Sequence, residues 1–173
     1  MKLENKNDLL LTSLLKFYKK QQNMKIFHKY ISKSSPISLR VFDFLCTKYI
    51  KNKNVIYYIE KNNKKIPFNL SVAYKAQLKA YSKLQFDPFK RHDRIEISCI
   101  HCKEGKLVTT IGQLNFFKFA IENKLTDWIE NPENYKKVEK EISQDSNCKQ
   151  KNTKSSKKMI SSTSNLHITV TFK

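Results

Sequence analysis

Only two glycines, Gly105 and Gly112, occur in the 173 residues. Neither GxGxxG nor GxxxxGK(S/T) can be written with them, so phosphate-cradling glycine loops are excluded. Arginine is almost as scarce, with Arg40, Arg91 and Arg94 against 31 lysines. Because Arg is the main side chain for bidentate reading of guanine, the chain has little capacity for base reading, and a phosphate-contacting binder fits better. No stretch approaches the roughly 18 consecutive apolar residues of a membrane span, so no membrane helix is expected. The first 23 residues are charged and lack an apolar run before a cleavage site, so no signal peptide is expected either. The four cysteines (Cys46, Cys99, Cys102, Cys148) are dispersed, which predicts reduced thiols in an intracellular setting.

What the chain does have is positive charge: 34 Lys and Arg against 15 Asp and Glu, net +19. The abundance of Lys and Asn matches an AT-rich genome, but such a bias does not by itself halve the acids. A polyanionic partner, nucleic acid above all, is the implied class. The charge is also uneven. Residues 64–94 carry eight cations and two acids, whereas residues 95–144 carry seven Lys and eight acids. Codon bias alone would spread the excess more evenly.

Apolar spacing and turn chemistry divide the chain. Residues 7–22 read as a helix with Leu10, Leu11, Leu14, Leu15 and Tyr18 on one face, capped by Asn7 or Asp8. Met24 then opens a segment that would serve as a protein start, so residues 1–23 are read as an extension of a core domain at 24–144. Ser35-Pro36 predicts the start of a helix carrying Ile37, Val41, Phe42, Phe44, Leu45 and Tyr49. Val55–Ile59 and Ile66–Leu70 form a hairpin about Asn62-Asn63. A central helix is predicted over 70–84, burying Leu70, Tyr74, Leu78 and Tyr81. Asp87-Pro88 ends it between Phe86 and Phe89. A second hairpin joins Arg94–Ile100 to Leu107–Thr109. Thr110 and Gln113 form a capping box for a helix striped by Leu114, Phe117, Ile121, Leu125 and Trp128. Asn131-Pro132 caps a last helix with Tyr135, Val138 and Ile142. Residues 145–165 are read as a disordered Ser/Lys/Asn linker and residues 166–173 as a strand-like end. The fold class is therefore α+β: two β-hairpins with helices before, between and after them, and basic tails.

Lys75, Lys79 and Lys83 recur every four residues along the central helix, and Lys90, Arg91 and Arg94 follow its end. Together they are the candidate nucleic-acid contacts, able to track a phosphate backbone. A solvated helix face is the plainer account of the same stripe. Cys99-Ile100-His101-Cys102 is half of a zinc knuckle, with Cys46 and His92 as the available partners. The simpler reading has Cys99 facing the core and Cys102 incidental, so no metal ligand or cofactor is assigned. Asp87, His92, Asp93 and Glu96 keep a metal-dependent nuclease as a minority reading, but they match no carboxylate motif of one, and no catalytic residue is assigned.

Three stretches, Ser35–Tyr49, Phe68–Ile95 and Thr109–Asn123, resemble a group of short, uncharacterised basic proteins of large nucleocytoplasmic double-stranded DNA viruses. The turn Phe86-Asp87-Pro88-Phe89 is the most specific part of that resemblance. It implies a viral setting, in the host cytoplasm or nucleus or in the virion, and lends no catalytic residue. Sequence alone thus points to a non-enzymatic, weakly sequence-specific nucleic-acid binder. The alternative is a structural or assembly protein whose terminal strand pairs with a protein partner.

Overall fold

The computed structural model describes residues 6–32, 34–89, 93–102 and 104–158, with side chains through Ser146. It is an α+β fold with two separate antiparallel hairpins, as the sequence predicts. The strand-like end at 166–173 lies outside the described residues.

Two helices come first, α1 (Lys6–Tyr18) and α2 (Gln21–Ile31), where one was predicted over 7–22. The chain turns at Lys19 and Lys20, and α2 runs straight through Met24. Leu14 and Tyr18 of α1 are buried in the same core as Phe27 and Tyr30 of α2. The Tyr18 hydroxyl donates to the Leu114 carbonyl at 2.7 Å. The hydrophobic contacts of α1 therefore cross the boundary expected at residue 23.

After α2, Ser35 does not cap a helix; its hydroxyl accepts from the Ile37 N–H at 3.1 Å and shapes a turn. The helix begins three residues later as α3 (Leu39–Phe44), runs through a π-helical turn (Leu45–Tyr49) and ends as α4 (Ile50–Asn52). The first hairpin pairs β1 (Ile56–Lys61) with β2 (Lys64–Asn69), in register Ile59 with Ile66. Asn62 and Asn63 both take positive φ, 51° and 58°, as a tight two-residue turn requires. Asn69 then caps α5 (Leu70–Ala80), its side chain accepting from the Val72 N–H.

The helix predicted over 70–84 stops at Ala80. Tyr81 is extended, its ring stacked on Phe86, and Ser82 opens a short α6 (Lys83–Phe86) through a capping box with Gln85. Leu78, expected in the core, is 47% exposed, whereas Leu70 and Tyr74 are buried as predicted. Asp87 ends α6, and its carboxylate accepts from the Phe89 N–H at 3.0 Å.

The second hairpin pairs β3 (Ile95–Ser98) with β4 (Lys106–Thr109). From it springs α7 (Ile111–Glu122), capped by Thr110, whose hydroxyl accepts from the Gln113 N–H. The other half of the predicted capping box is spent elsewhere. The Gln113 side chain accepts from Thr109 and donates to the Pro88 carbonyl. Lys124 takes φ 56° and breaks the predicted long helix into α7 and α8 (Leu125–Glu130); α9 (Pro132–Lys158) follows and runs helical through residues 145–158, where a disordered linker was expected.

The centre of this fold is α7 rather than the helix at 70. Leu114, Asn115, Phe116, Phe117, Phe119 and Ala120 are all buried, so α7 is enclosed on most sides. Phe116 and Phe117 meet Phe42, Phe86, Phe89, Phe27 and Tyr30 ring to ring. At its first turn, a Cβ on Gly112 would stand 2.6 Å from the Asp87 carbonyl oxygen. That glycine is what allows the Phe86–Phe89 turn to sit directly on α7.

Candidate functional site

The Phe86–Phe89 turn separates core from charge. Phe86 is fully buried, and Phe89 lies half-buried against Phe116, so both rings point inward. Asp87 faces out, into a hollow of about 310 Å³ that also takes in Asp43, Lys51, Lys75 and Lys83. A second hollow, about 630 Å³, lies beside it and is walled by Arg40, Arg94 and Gln113. Asp43 and Phe89 line both, so the two hollows share a wall.

Three of the six predicted contact residues therefore gather on this surface: Lys75 and Lys83 in one hollow, Arg94 in the other. Lys83 belongs to α6 rather than to a continuous stripe, yet the bend at Tyr81 and Ser82 leaves it in the same hollow as Lys75. Lys79 is exposed one turn along α5 and lines neither hollow. Lys90 and Arg91 lie outside the described residues. Arg40 and Lys51, which the spacing argument did not single out, complete the basic rim. They reach it from α3 and α4, so only the tertiary fold places them there.

Ion pairing explains why these cations are available. The described pairs are Lys29–Glu130, Lys48–Asp145, Lys53–Glu141, Lys106–Glu96, Lys118–Glu122 and Lys124–Asp127. Every acid in them except Asp145 comes from residues 95–144, the near-neutral part of the chain. Lys51, Lys75, Lys79, Lys83, Arg40 and Arg94 have no ion-pair partner among the described residues. In water a lysine or arginine without a fixed partner keeps its charge available for a mobile anion.

Asp43 sits between the two groups of cations. Burial, then the charge of Asp87, raises its carboxyl above the ordinary value of 3.8, offset in part by Thr47 and Lys48. A raised carboxyl favours the protonated folded state, so the cost of Asp43 to stability builds as pH rises past 3.8 and is complete above its folded value. Below 3.8 it is protonated in both states and contributes nothing. Asp43→Asn is therefore expected to raise the melting temperature at pH 7, with the gain vanishing as pH falls below 3.8. Melting curves of both proteins across that range check it; an equal gain at every pH would assign the effect to something other than the charge.

The carboxylates weighed for nuclease chemistry do not share one hollow. Glu96 pairs with Lys106 at 3.2 Å and lines a different depression beside Tyr18 and Met24. His92 is outside the described residues. Elsewhere the structure assembles a group that sequence spacing missed: ligand atoms of His28, Cys99 and Cys102 all lie within 4.8 Å of one another. Burial and a hydrogen bond with Cys99 push the Cys102 thiol up to about 11. Cys46, named as a partner for that knuckle, is instead buried against the Asp43 hollow. His28 is 71 positions before Cys99 in the chain, and no local pattern links them.

Beside His28, at a hollow that Lys29, Glu130, His28 and His101 all line, Lys29 and the Tyr30 hydroxyl both donate to Glu130. Burial raises the Glu130 carboxyl, but these two donors and the Lys29 charge outweigh it and hold it below the ordinary range. This contact ties α2 to α8. No helix among the described residues is long and apolar enough to cross a membrane.

Residues 1–170 match the model of a family of unknown function, DUF7197. Over 105 residues the chain is 39% identical to the uncharacterized protein L507 of Acanthamoeba polyphaga mimivirus, covering 59% of this chain and 40% of that protein. The matched part thus spans less than half of that curated relative. No solved structure matches. The likeness to an uncharacterised viral protein agrees with the setting that the resemblance of the three stretches implied.

Proposed function

The chain belongs to the DUF7197 family, and on that footing we propose, from its own surface, a non-enzymatic nucleic-acid-binding protein that contacts phosphates with low sequence specificity. The observation that carries this reading is the basic rim of Arg40, Lys51, Lys75, Lys83 and Arg94 around the two joined hollows, unpaired among the described residues. Lys79 extends the rim along α5; Lys90 and Arg91, which follow Phe89 in the sequence, lie outside the described residues.

The chemistry favours phosphate over bases. Lysine ammonium groups are point charges that hold phosphate oxygens without fixing a base edge. Affinity on such a surface comes from releasing counterions, so it falls steeply with salt and varies little with sequence. Tyr74 is buried and Tyr81 stacks on Phe86, so neither supplies a base-stacking platform here.

Charge reversal gives the test. Replacing Lys75, Lys79 and Lys83 by Glu is expected to leave the melting temperature nearly unchanged, because all three are exposed. The log–log salt slope of duplex binding should fall by about three, roughly one for each lost phosphate contact. Fluorescence anisotropy with two unrelated duplexes at several salt concentrations measures both slope and specificity. Unchanged affinity in the triple variant would remove this surface as the site. Binding that is lost instead on deleting residues 145–173 would favour tail-mediated assembly.

A further inference from the structure

The second hairpin is short for the position it holds. Its strands are four residues each, they form a sheet of their own, and such a hairpin is marginal without a further tie. Ile97, Leu107 and Cys99 pack into the core. Its tip is curled by three backbone bonds: Cys99 N–H to Gly105 O at 2.8 Å, Cys102 N–H to Cys99 O at 3.2 Å, and Gly105 N–H to Cys102 O at 3.0 Å. Gly105 takes φ 68°, a left-handed conformation that suits glycine. The result brings the Cys99 and Cys102 sulfurs together and sets them against α2, where His28 meets them.

Tetrahedral zinc with sulfur ligands at about 2.3 Å and nitrogen at about 2.0 Å needs its donors about 3.5–3.8 Å apart. The His28, Cys99 and Cys102 donors, all within 4.8 Å, need to close by roughly an ångström, which side-chain rotation supplies. A second imidazole stands beside them: the His101 ring lies 6.3 Å from the His28 ring, centroid to centroid. Both histidines line one open hollow of about 410 Å³, so both rings border solvent. Two thiols with imidazole nitrogen select zinc over the hard cations magnesium and calcium. If Cys99 is only a small core residue, its burial is explained, but the meeting of His28 with both sulfurs is not.

We propose that His28, Cys99 and Cys102 bind one zinc ion, with His101 as the fourth ligand, and that the ion ties the tip of the second hairpin to α2. The ion exchanges protons for metal at the two thiols and changes no oxidation state. This proposal stands apart from the nucleic-acid reading, since the basic rim shares none of these side chains.

The full-length protein, purified under reductant from zinc-supplemented cells, is expected to carry one zinc per chain by elemental analysis. Cobalt(II) added after chelation should give thiolate-to-metal charge-transfer absorption. Cys102→Ser and His28→Ala change half-buried positions and spare the core residue Cys99. Each should weaken cobalt binding at least about tenfold. A chelator should lower the melting temperature of the parent protein and leave that of Cys102→Ser unmoved. Zinc-free protein that gives no thiolate absorption with cobalt, or variants that bind cobalt as the parent does, would overturn the site. A Cys99–Cys102 disulfide formed under reductant would overturn it too. Full-strength binding by His101→Ala would remove His101 from the ligand set.

Discussion

A chain that starts at Met24 is expected to lose its cooperative unfolding transition. The segment before it carries Leu14 and Tyr18, 1% and 3% exposed, packed into the common core. Tyr18 meets Phe27 ring to ring and donates to the Leu114 carbonyl, while Asn7 accepts from the buried Gln85 side chain at 2.8 Å. Removing a buried Leu costs about 2–5 kcal/mol and a large aromatic about 3–5 kcal/mol. Whole domains of this size are stable by only about 5–15 kcal/mol. The loss is thus comparable to the total, and α7 would be laid open along the side that α1 covers. Circular dichroism with thermal and urea denaturation of residues 24–173 beside the full chain decides it. A sharp transition at the parent midpoint would show that α1 adds nothing to the fold.

Local chemistry made much of the architecture legible. The Asn62-Asn63 turn, the Thr110 cap, the Asp87-Pro88 stop and the Asn131 cap are set by residues within a few positions of one another, and the structure shows each. Helix breaks were harder to read. At Tyr81-Ser82 and Asn123-Lys124 the apolar spacing carries on in phase across the break, so periodicity alone joins the two helices. The signal for the first break was nonetheless present: Ser82 and Gln85 have the same spacing as the Thr110–Gln113 box. The central helix was misplaced for a related reason. A stripe of Leu114, Phe117 and Ile121 describes one face, but Phe116, Phe119 and Ala120 are buried on others, and a helix enclosed all round has no single stripe to find.

The candidate site divides along the same line. Lys75, Lys83 and Arg94 were found because charge density along the chain is a local property. Arg40, Lys51 and His28 were missed because only tertiary packing brings them near, from 24 to 71 positions away in the chain. Sequence order also suggested that Lys79 and Lys83 are equivalent, and the bend between α5 and α6 separates them. Membership of the surface is decided by where α6 turns, and that turn is fixed by Phe86.

Phe86→Ala should therefore be the most damaging single substitution in the motif, at about 3–5 kcal/mol. The Phe86 side chain is fully buried, with the rings of Tyr74, Tyr81, Phe116 and Phe119 at 5.8, 6.0, 5.9 and 5.7 Å between centroids. Alanine leaves a void walled by aromatic rings, which cannot rotate inward to fill it as flexible side chains do. A loss of that size lowers the melting temperature by roughly 10 °C or more in a domain of this length. Phe86→Leu, which keeps most of the volume, should cost well under half as much. Binding supplies the contrast. If the basic rim is the site, Phe86→Ala assayed below its melting temperature keeps the parent salt slope, because no cation has been removed. The lysine triple variant keeps its stability and loses the slope. Two proteins that fail in opposite assays would separate what this turn does for the core from what its neighbours do for a ligand. If Phe86→Ala instead flattens the salt slope while still folded, the bend into α6 is itself part of the binding surface, since that bend is what holds Lys83 beside Lys75.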